Sequence, residues 1–361
     1  MLQLPCTTGL SFDQPPEPAA LLAGVRENGE RLRSGIYSAT GTLEHTPVRL
    51  DKEAKTATPQ PAAILEETIQ AAFDHDQGKL YFSRLRRHAS GERSAKFSEW
   101  RHSRLILRPE KSILVFMNRP DGIAKVSIAA PVTPQAALKY FQPVFDVRTL
   151  CLKGAEGLGD SFENTVGAYE SVANSFRILG DRDDIIHLQG DFPVAESQYA
   201  ERFEIWIDPR QGYQPIRYTV RVRENSESGK ILEPNRTSET SWTQVKDVWV
   251  PKTVDLYSSA VRWDERLKLA ITWESVNEPV PESWFTWEGL DLPEHSRVAD
   301  TSIVDNVIVP VATVGKSMEE EVPLGVHEIG GYGTVRWLLI LVNIIAAGLL
   351  LGWFLRRRAS Q

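Results

Sequence analysis

The chain has 361 residues, 42% hydrophobic and 25% charged, which is a globular balance with enough length for a sizeable core. Its 41 basic and 48 acidic residues give a formal charge of −7. With the four arginines beside the last apolar segment set aside, 37 bases face 48 acids, and a domain at −11 gains nothing from nucleic-acid phosphates or anionic headgroups.

No repeat with a period of a few tens of residues is present, which argues against a solenoid or propeller. The two cysteines, Cys6 and Cys151, have no zinc spacing, and the simplest reading is one loose and one buried thiol.

In chain order, residues 1–16 form a proline-rich lead. From Pro18 to Arg33, Leu21, Leu22, Val25 and Leu32 recur at helical spacing with Gly35 just beyond, which predicts an amphipathic helix. Residues 45–62 read as a mobile loop. Much of the rest alternates with period two. Candidate strands lie at 36–43, 66–73, 79–87, 103–108, 111–117, 172–179 and 184–190. Phe203, Ile205 and Ile207 share one parity, and Arg202, Glu204 and Trp206 the other. After the turn Asp208-Pro209-Arg210-Gln211-Gly212, Ile216, Tyr218, Val220 and Val222 alternate with charged residues and Thr219, which predicts a long hairpin with one wet face. Val248, Val250, Val254 and Leu256 make another such face, as do Trp263, Leu267, Leu269, Ile271 and Trp273.

Two short helices interrupt the strands. Thr133-Pro134 opens one carrying Leu138, Phe141, Val144 and Phe145. Asp160 with Glu163 suggests a capping box for the other, which carries Phe162, Val166 and Tyr169. The expected fold is α+β: a large, curved antiparallel sheet, half-open as a barrel, with a few helices on its concave face. A sheet with one apolar side must be covered. Whether its interior is packed or holds a cavity stays open at this level.

Residues 301–336, with Pro310, Pro323 and a glycine-rich end, read as a stalk. Residues 337–355, WLLILVNIIAAGLLLGWFL, are long and apolar enough to cross a membrane, with Trp337 and Trp353 at the two interfaces. Arg356, Arg357 and Arg358 follow as a basic tail at 356–361. The positive-inside rule puts that tail in the cytoplasm and the domain outside, as a single-pass inner-membrane protein. Gly348 and Gly352 have the GxxxG spacing of helix pairs, although glycine is also common in unpaired membrane helices. The opening residues have no basic n-region and no apolar h-region. Either the reading frame starts upstream, or the protein is tail-anchored with its domain in the cytosol; the first is favoured.

The order of elements resembles a known family. A hairpin around FDHDQGKLYFSRL (73–85) precedes YFQPVFDVRTLCLKG (140–154). The hairpin FEIWIDPRQGYQPIRYTV (203–220), the pair WTQVKDVWVPKTVDLY (242–257) and LKLAITWESVNEPVPESWFT (267–286) follow. This is similar to the bacterial LolA/LolB-like proteins, the outer-membrane lipoprotein-sorting superfamily, and above all to its larger, membrane-anchored members. WIDPRQGYQPIR is the most telling piece, and the resemblance covers roughly 17–300. It implies a half-open barrel with helices plugging the concave face, and an exported protein that holds acyl chains or a lipoprotein. No family residue carries over to a numbered position here. The chain is longer than the soluble carriers, and an anchor would prevent shuttling, so a tethered sensor or acceptor fits better than a carrier.

Other chemistry is thin. Asp74-His75-Asp76 sits where a hairpin turn is expected, and Asp181, Asp183 and Asp184 near His187 fall in another turn, so both read as turns before metal sites. No nucleotide, serine-hydrolase or zinc-protease motif is present, and no cofactor or metal is expected. The expected function is therefore binding without catalysis: a tethered envelope domain that holds a lipid, acyl chain or lipoprotein. An anchored scaffold with a packed core, or an unrecognised hydrolase, is the alternative. The candidate apolar lining is Phe203, Ile205, Tyr218, Val220, Leu267, Leu269 and Trp273, with Phe141 and Phe145 as the plug.

Overall fold

The computed structural model describes residues 17–51, 56–91, 100–109, 112–118, 124–129, 146–152, 161–182, 184–192, 199–224, 231–260, 263–292, 296–300, 309–314 and 321–323. The plug helix expected from Thr133, with Phe141 and Phe145, and the apolar segment 337–355 with Gly348 and Gly352 lie outside these residues. Among the described residues no helix is long and apolar enough to cross a membrane.

Helix α1 spans Pro18–Glu30, with its proline in the first turn where a missing N–H costs nothing. Strand β1 runs Ser34–Asp51, β2 Thr56–Pro59, β3 Ala63–Asp74, β4 Lys79–Gly91, β5 Trp100–Leu107, β6 Ser112–Met117 and β7 Lys125–Ala129. Helix α2 spans Phe162–Ser171. Then come β8 (Arg177–Arg182), β9 (Ile185–Phe192), β10 (Tyr199–Asp208), β11 (Gln214–Glu224), β12 (Ile231–Val245), β13 (Val248–Ala260), β14 (Trp263–Val276), β15 (Arg297–Asp300), β16 (Val309–Val314) and β17 (Glu321–Pro323).

The register fixes the topology. Thirteen strands follow one another antiparallel in the order β8-β9-β10-β11-β12-β13-β14-β1-β3-β4-β5-β6-β7. The first strand therefore lies in the middle, between β14 and β3, and joins two meanders into one curved sheet that, among the described residues, does not close. Beyond β7 the order continues through β15, which is parallel to it, to β16 and β17.

Three sequence expectations change. The stretch 45–62 is mostly strand: β1 continues to Asp51 and turns back as β2, pairing Val48 with Pro59. Part of the expected stalk, 309–314 and 321–323, extends the sheet. The cap of α2 is Ser161, whose hydroxyl accepts from the Asn164 N–H, so the cap lies one residue later than Asp160.

The expectation of one apolar face holds for β10–β14 and fails for β3–β6. Leu105 and Leu114 face inward, while Ile106, Ile113, Val115 and Met117 are equally buried on the outside. Their cover is the chain after β14. Residues 280–292 fold back over the outer face and bury Phe285, Leu290 and Leu292 against Ile36, Ala72 and Tyr81. Gly289 lets this segment turn tightly, since a Cβ there would stand 2.6 Å from the Ser283 carbonyl oxygen.

Candidate functional site

The inner face is where the candidate residues meet. Phe203 is paired with Val220 and Ile205 with Tyr218, so these four side chains share one face of the β10–β11 hairpin. They are all buried, and the helices cover them: Leu21, Leu22 and Val25 from α1, and Phe162, Val166 and Tyr169 from α2. Tyr169 and Phe176 stand edge-on to Phe203 at 5.2 and 5.1 Å between centroids. Arg26 clamps the two helices together through both Glu170 carboxylate oxygens, at 2.8 and 2.5 Å. Beyond α2, Cys151 lies fully buried against Ser238 and Thr240, and burial pushes its thiol up to about 12.

Leu267, Leu269 and Trp273 also face inward, but in a neighbouring cluster with Leu43, Leu65, Ile69, Val254 and Leu256. Trp273 packs on Tyr37 at 5.1 Å and donates its indole N–H to the Pro251 carbonyl at 3.0 Å. The strand parity agrees with the expected alternation: Leu267 and Leu269 are buried, and Lys268 between them is exposed. The seven described candidate residues thus share one face in two adjoining patches. Trp206 lies on the opposite side, stacked on His187 at 4.2 Å with the Arg217 guanidinium 4.9 Å from its ring.

The inner face is not apolar throughout. Glu67 falls in the same parity as Leu65 and Ile69, and its side chain is completely buried. Arg84 Nε and Nη2 donate to its two oxygens at 2.7 and 2.9 Å, and Arg86 Nε donates at 2.6 Å. His45 Nδ1 lies 2.9 Å from Glu265 Oε1 on the neighbouring strands β1 and β14. Burial works against the Glu265 charge, yet the His45 hydrogen bond and the Arg86 and Arg84 charges hold its carboxyl below the usual range. Burial and the adjacent Arg84 bring the Arg86 guanidinium down to about 10, which still leaves it charged at neutral pH. In register, Gly41 separates Leu269 on one side from Glu67 on the other, so the ion cluster borders the apolar patch. Its sequence signal was present in the parity of Leu65-Glu66-Glu67-Thr68-Ile69, which puts one carboxylate in phase with the apolar residues.

The sequence turns at Asp74-His75-Asp76 and near Asp184 are turns in the structure. Asp74 Oδ1 accepts from the Gln77 N–H at 3.0 Å, and the buried His75 ring lies 3.9 Å from Asp146. Burial depresses the His75 pKa. Among the described residues no group of His, Cys, Asp and Glu is arranged to hold a metal.

Together these elements define a class: an open antiparallel sheet with two helices seated on its apolar inner face and a separate cover on part of its outer face. No family model and no curated protein sequence matches the chain. Among solved structures it is similar to a DUF1329 family protein from Desulfovibrio piger, with 8% identity over 76% of this chain and 100% of that one, at a TM-score of 0.39. It is also similar to a putative outer membrane lipoprotein-sorting protein domain from Vibrio parahaemolyticus, at 11% identity over 76% and 99% of the two chains and a TM-score of 0.35. A beta-barrel-like protein from Brucella abortus, a domain of unknown function, matches at 10% identity over 68% and 100% with a TM-score of 0.26. All three likenesses are distant ones.

Proposed function

We propose that the chain is an envelope domain, tethered to the inner membrane by residues 337–355, whose inner sheet face receives an acyl chain of a lipid or lipoprotein. The observation that carries this reading is the inner face itself. Phe203, Ile205, Tyr218 and Val220 are held under two helices, α1 and α2, with the Leu267–Leu269 patch alongside. Apolar surface that passes from water to such a face gains ~25 cal/mol per Å². Displacing helix side chains for an acyl chain exchanges one apolar contact for another, so binding requires movement of the helices more than new chemistry. The lipid-facing sequence at 337–355 puts that face near a supply of acyl chains, with the domain outside the cytoplasm.

The test is binding of a fluorescent fatty acid by the full-length protein in detergent, alongside extraction of the purified protein for lipid. Bound lipid and probe binding are the expected results. Leu269→Arg should abolish binding, because a charge there must be desolvated within the apolar cluster of Leu43, Leu65, Val254 and Leu256 at a cost of several kcal/mol. Lys268→Glu, exposed on the next residue, should leave binding unchanged. Absence of both lipid and probe binding in the wild type would overturn the reading.

The near-complete burial of the described lining residues favours a second reading, an anchored scaffold with a packed interior and no small ligand. The same experiment separates the two.

A further inference from the structure

On the outer face of β3, β4 and β5 lies a cavity of about 470 Å3. The sheet forms its floor with Thr68, Tyr81, Ser83, His102 and Arg104, and the segment after β14 forms its wall with Trp284 and Asp291. It is on the opposite face from the apolar patches and shares none of their residues. The space is of the size of small-molecule sites.

Its chemistry is set by Arg104, which is 9% exposed. Buried arginines are ordinarily matched by carboxylates, as Arg84 is by Glu67 on the other side of the same strand pair. The Arg104 partners are of another kind. Nη1 donates to the Asp291 main-chain carbonyl at 2.8 Å, Nε donates to His102 Nε2 at 3.2 Å, and Nη2 lies 3.4 Å from His102 Nδ1. The imidazole is neutral at pH 7: burial, Arg104 and Arg87 depress its pKa to about 4. Ser83 Oγ shares the same ring nitrogen at 2.8 Å. The guanidinium is thus oriented by two uncharged groups, His102 and the Asp291 carbonyl, and it lines the cavity. The Asp291 carboxylate adds a negative field at the exposed rim without taking the hydrogen bond.

The rest of the lining suits a hydroxylated molecule. The exposed hydroxyls of Thr68 and Ser283 and the Gln70 amide supply donors and acceptors. Trp284, standing edge-on to Tyr81 at 5.1 Å, adds an aromatic surface. The wall is fastened on several sides: Lys79 pairs with Glu282 at 2.7 Å, Arg108 donates to the Phe285 carbonyl at 3.3 Å, and Phe285 itself is buried.

We propose that this cavity is a second binding site, for a sugar-sized hydroxylated anion whose carboxylate or phosphate lies on Arg104 and whose apolar ring face lies on Trp284. The site is independent of the inner face and stands whether or not that face takes a lipid.

The experiment is calorimetric titration of the full-length protein in a non-ionic detergent without a sugar headgroup, using glucuronate, glucose 6-phosphate, glucose and inorganic phosphate. One of the two sugar anions should bind at least about tenfold tighter than glucose and than inorganic phosphate, and which one it is tells carboxylate from phosphate. Arg104→Gln should weaken that binding by about tenfold or more. Thr68→Trp, at an exposed position on the cavity floor, should do the same by filling the space, with an unchanged melting curve. Binding retained in Thr68→Trp places the ligand elsewhere and overturns the proposal, even if Arg104→Gln fails to fold. Failure of both sugar anions to bind, or binding no tighter than glucose or phosphate alone, overturns it as well.

Discussion

Glu67 is the clearest case of a single residue that the fold must accommodate. Its carboxylate has no access to water, and two arginines hold it from the adjacent strand. A buried ion cluster of this kind adds little net stability over apolar residues of the same volume, because desolvation offsets most of the attraction. Removing one member is another matter. Glu67→Ala removes the one carboxylate that both arginines hydrogen-bond and leaves Glu265 as their remaining acidic neighbour, and we expect a loss of about 3–5 kcal/mol in urea denaturation. The triple change of Glu67, Arg84 and Arg86 to leucine should recover most of that loss; a triple variant as unstable as Glu67→Ala would show that the charges themselves are needed. His102 has a consequence of the same scale on the other face. Its pKa is about 4 in the fold against 6.5 when free, so the unfolded chain takes up a proton that the folded one refuses. Stability from this residue is complete above about pH 6.5 and falls as the pH drops toward 4, by about 2 kcal/mol after allowance for a partly exposed ring. In a plot of melting temperature against pH, His102→Gln should flatten that interval relative to wild type. A parallel pair of curves would mean that folding does not shift the pKa of the ring.

At the scale of elements, strand parity was legible and partners were not. Alternation identified the inward residues of β10, β11 and β14, because one side of those strands meets water and the other meets helices. It also placed α1, ending at Glu30 within a turn of the expected Arg33. The sequence Ser112-Ile113-Leu114-Val115-Phe116-Met117 has no alternation, and such a continuous run is the mark of a strand covered on both faces. What covers it could not be read, since 280–292 is a series of tight turns with proline and no period of its own. The same holds for β2: Thr56–Pro59 looks like a polar loop and becomes a strand only because the end of β1 offers it a partner. The outer cover is therefore the element whose energetic weight is best measured directly. Phe285 is 1% exposed and anchors it against Ile106 and Val115 in the outer cluster. Phe285→Ala should cost about 3–5 kcal/mol if the cover unfolds together with the sheet. A much smaller loss, with new protease cleavage confined to 280–292, would show the cover detaching as a separate unit.

For the whole molecule, the central position of β1 means that residues from the start of the domain and from β14 are hydrogen-bonded neighbours, Gly35 facing Val276. The domain is thus held together at its middle by strands far apart in the sequence, and β15–β17 continue the sheet from the β7 edge. From sequence alone, 337–355 is expected to suit hydrocarbon, since nineteen residues would span roughly 28 Å as a helix. Deleting 337–361 should release the protein into the soluble fraction, and a truncated form that still resists carbonate extraction would refute the anchor. Orientation calls for a second measurement. In a Cys6→Ser background, one new cysteine is placed either at Ser360, beside the arginines, or at Lys252, exposed on β13. Cys151 is fully buried with its thiol pushed up to about 12, so it stays silent in the native protein. With three arginines after the segment and one before it, the positive-inside rule predicts a cytoplasmic Ser360. In intact cells made permeable only at the outer envelope, an impermeant maleimide should label the Lys252 cysteine and spare the Ser360 one. The reverse pattern would put the sheet in the cytosol, and the envelope reading would fall with it while the inner-face chemistry remained to be tested on its own.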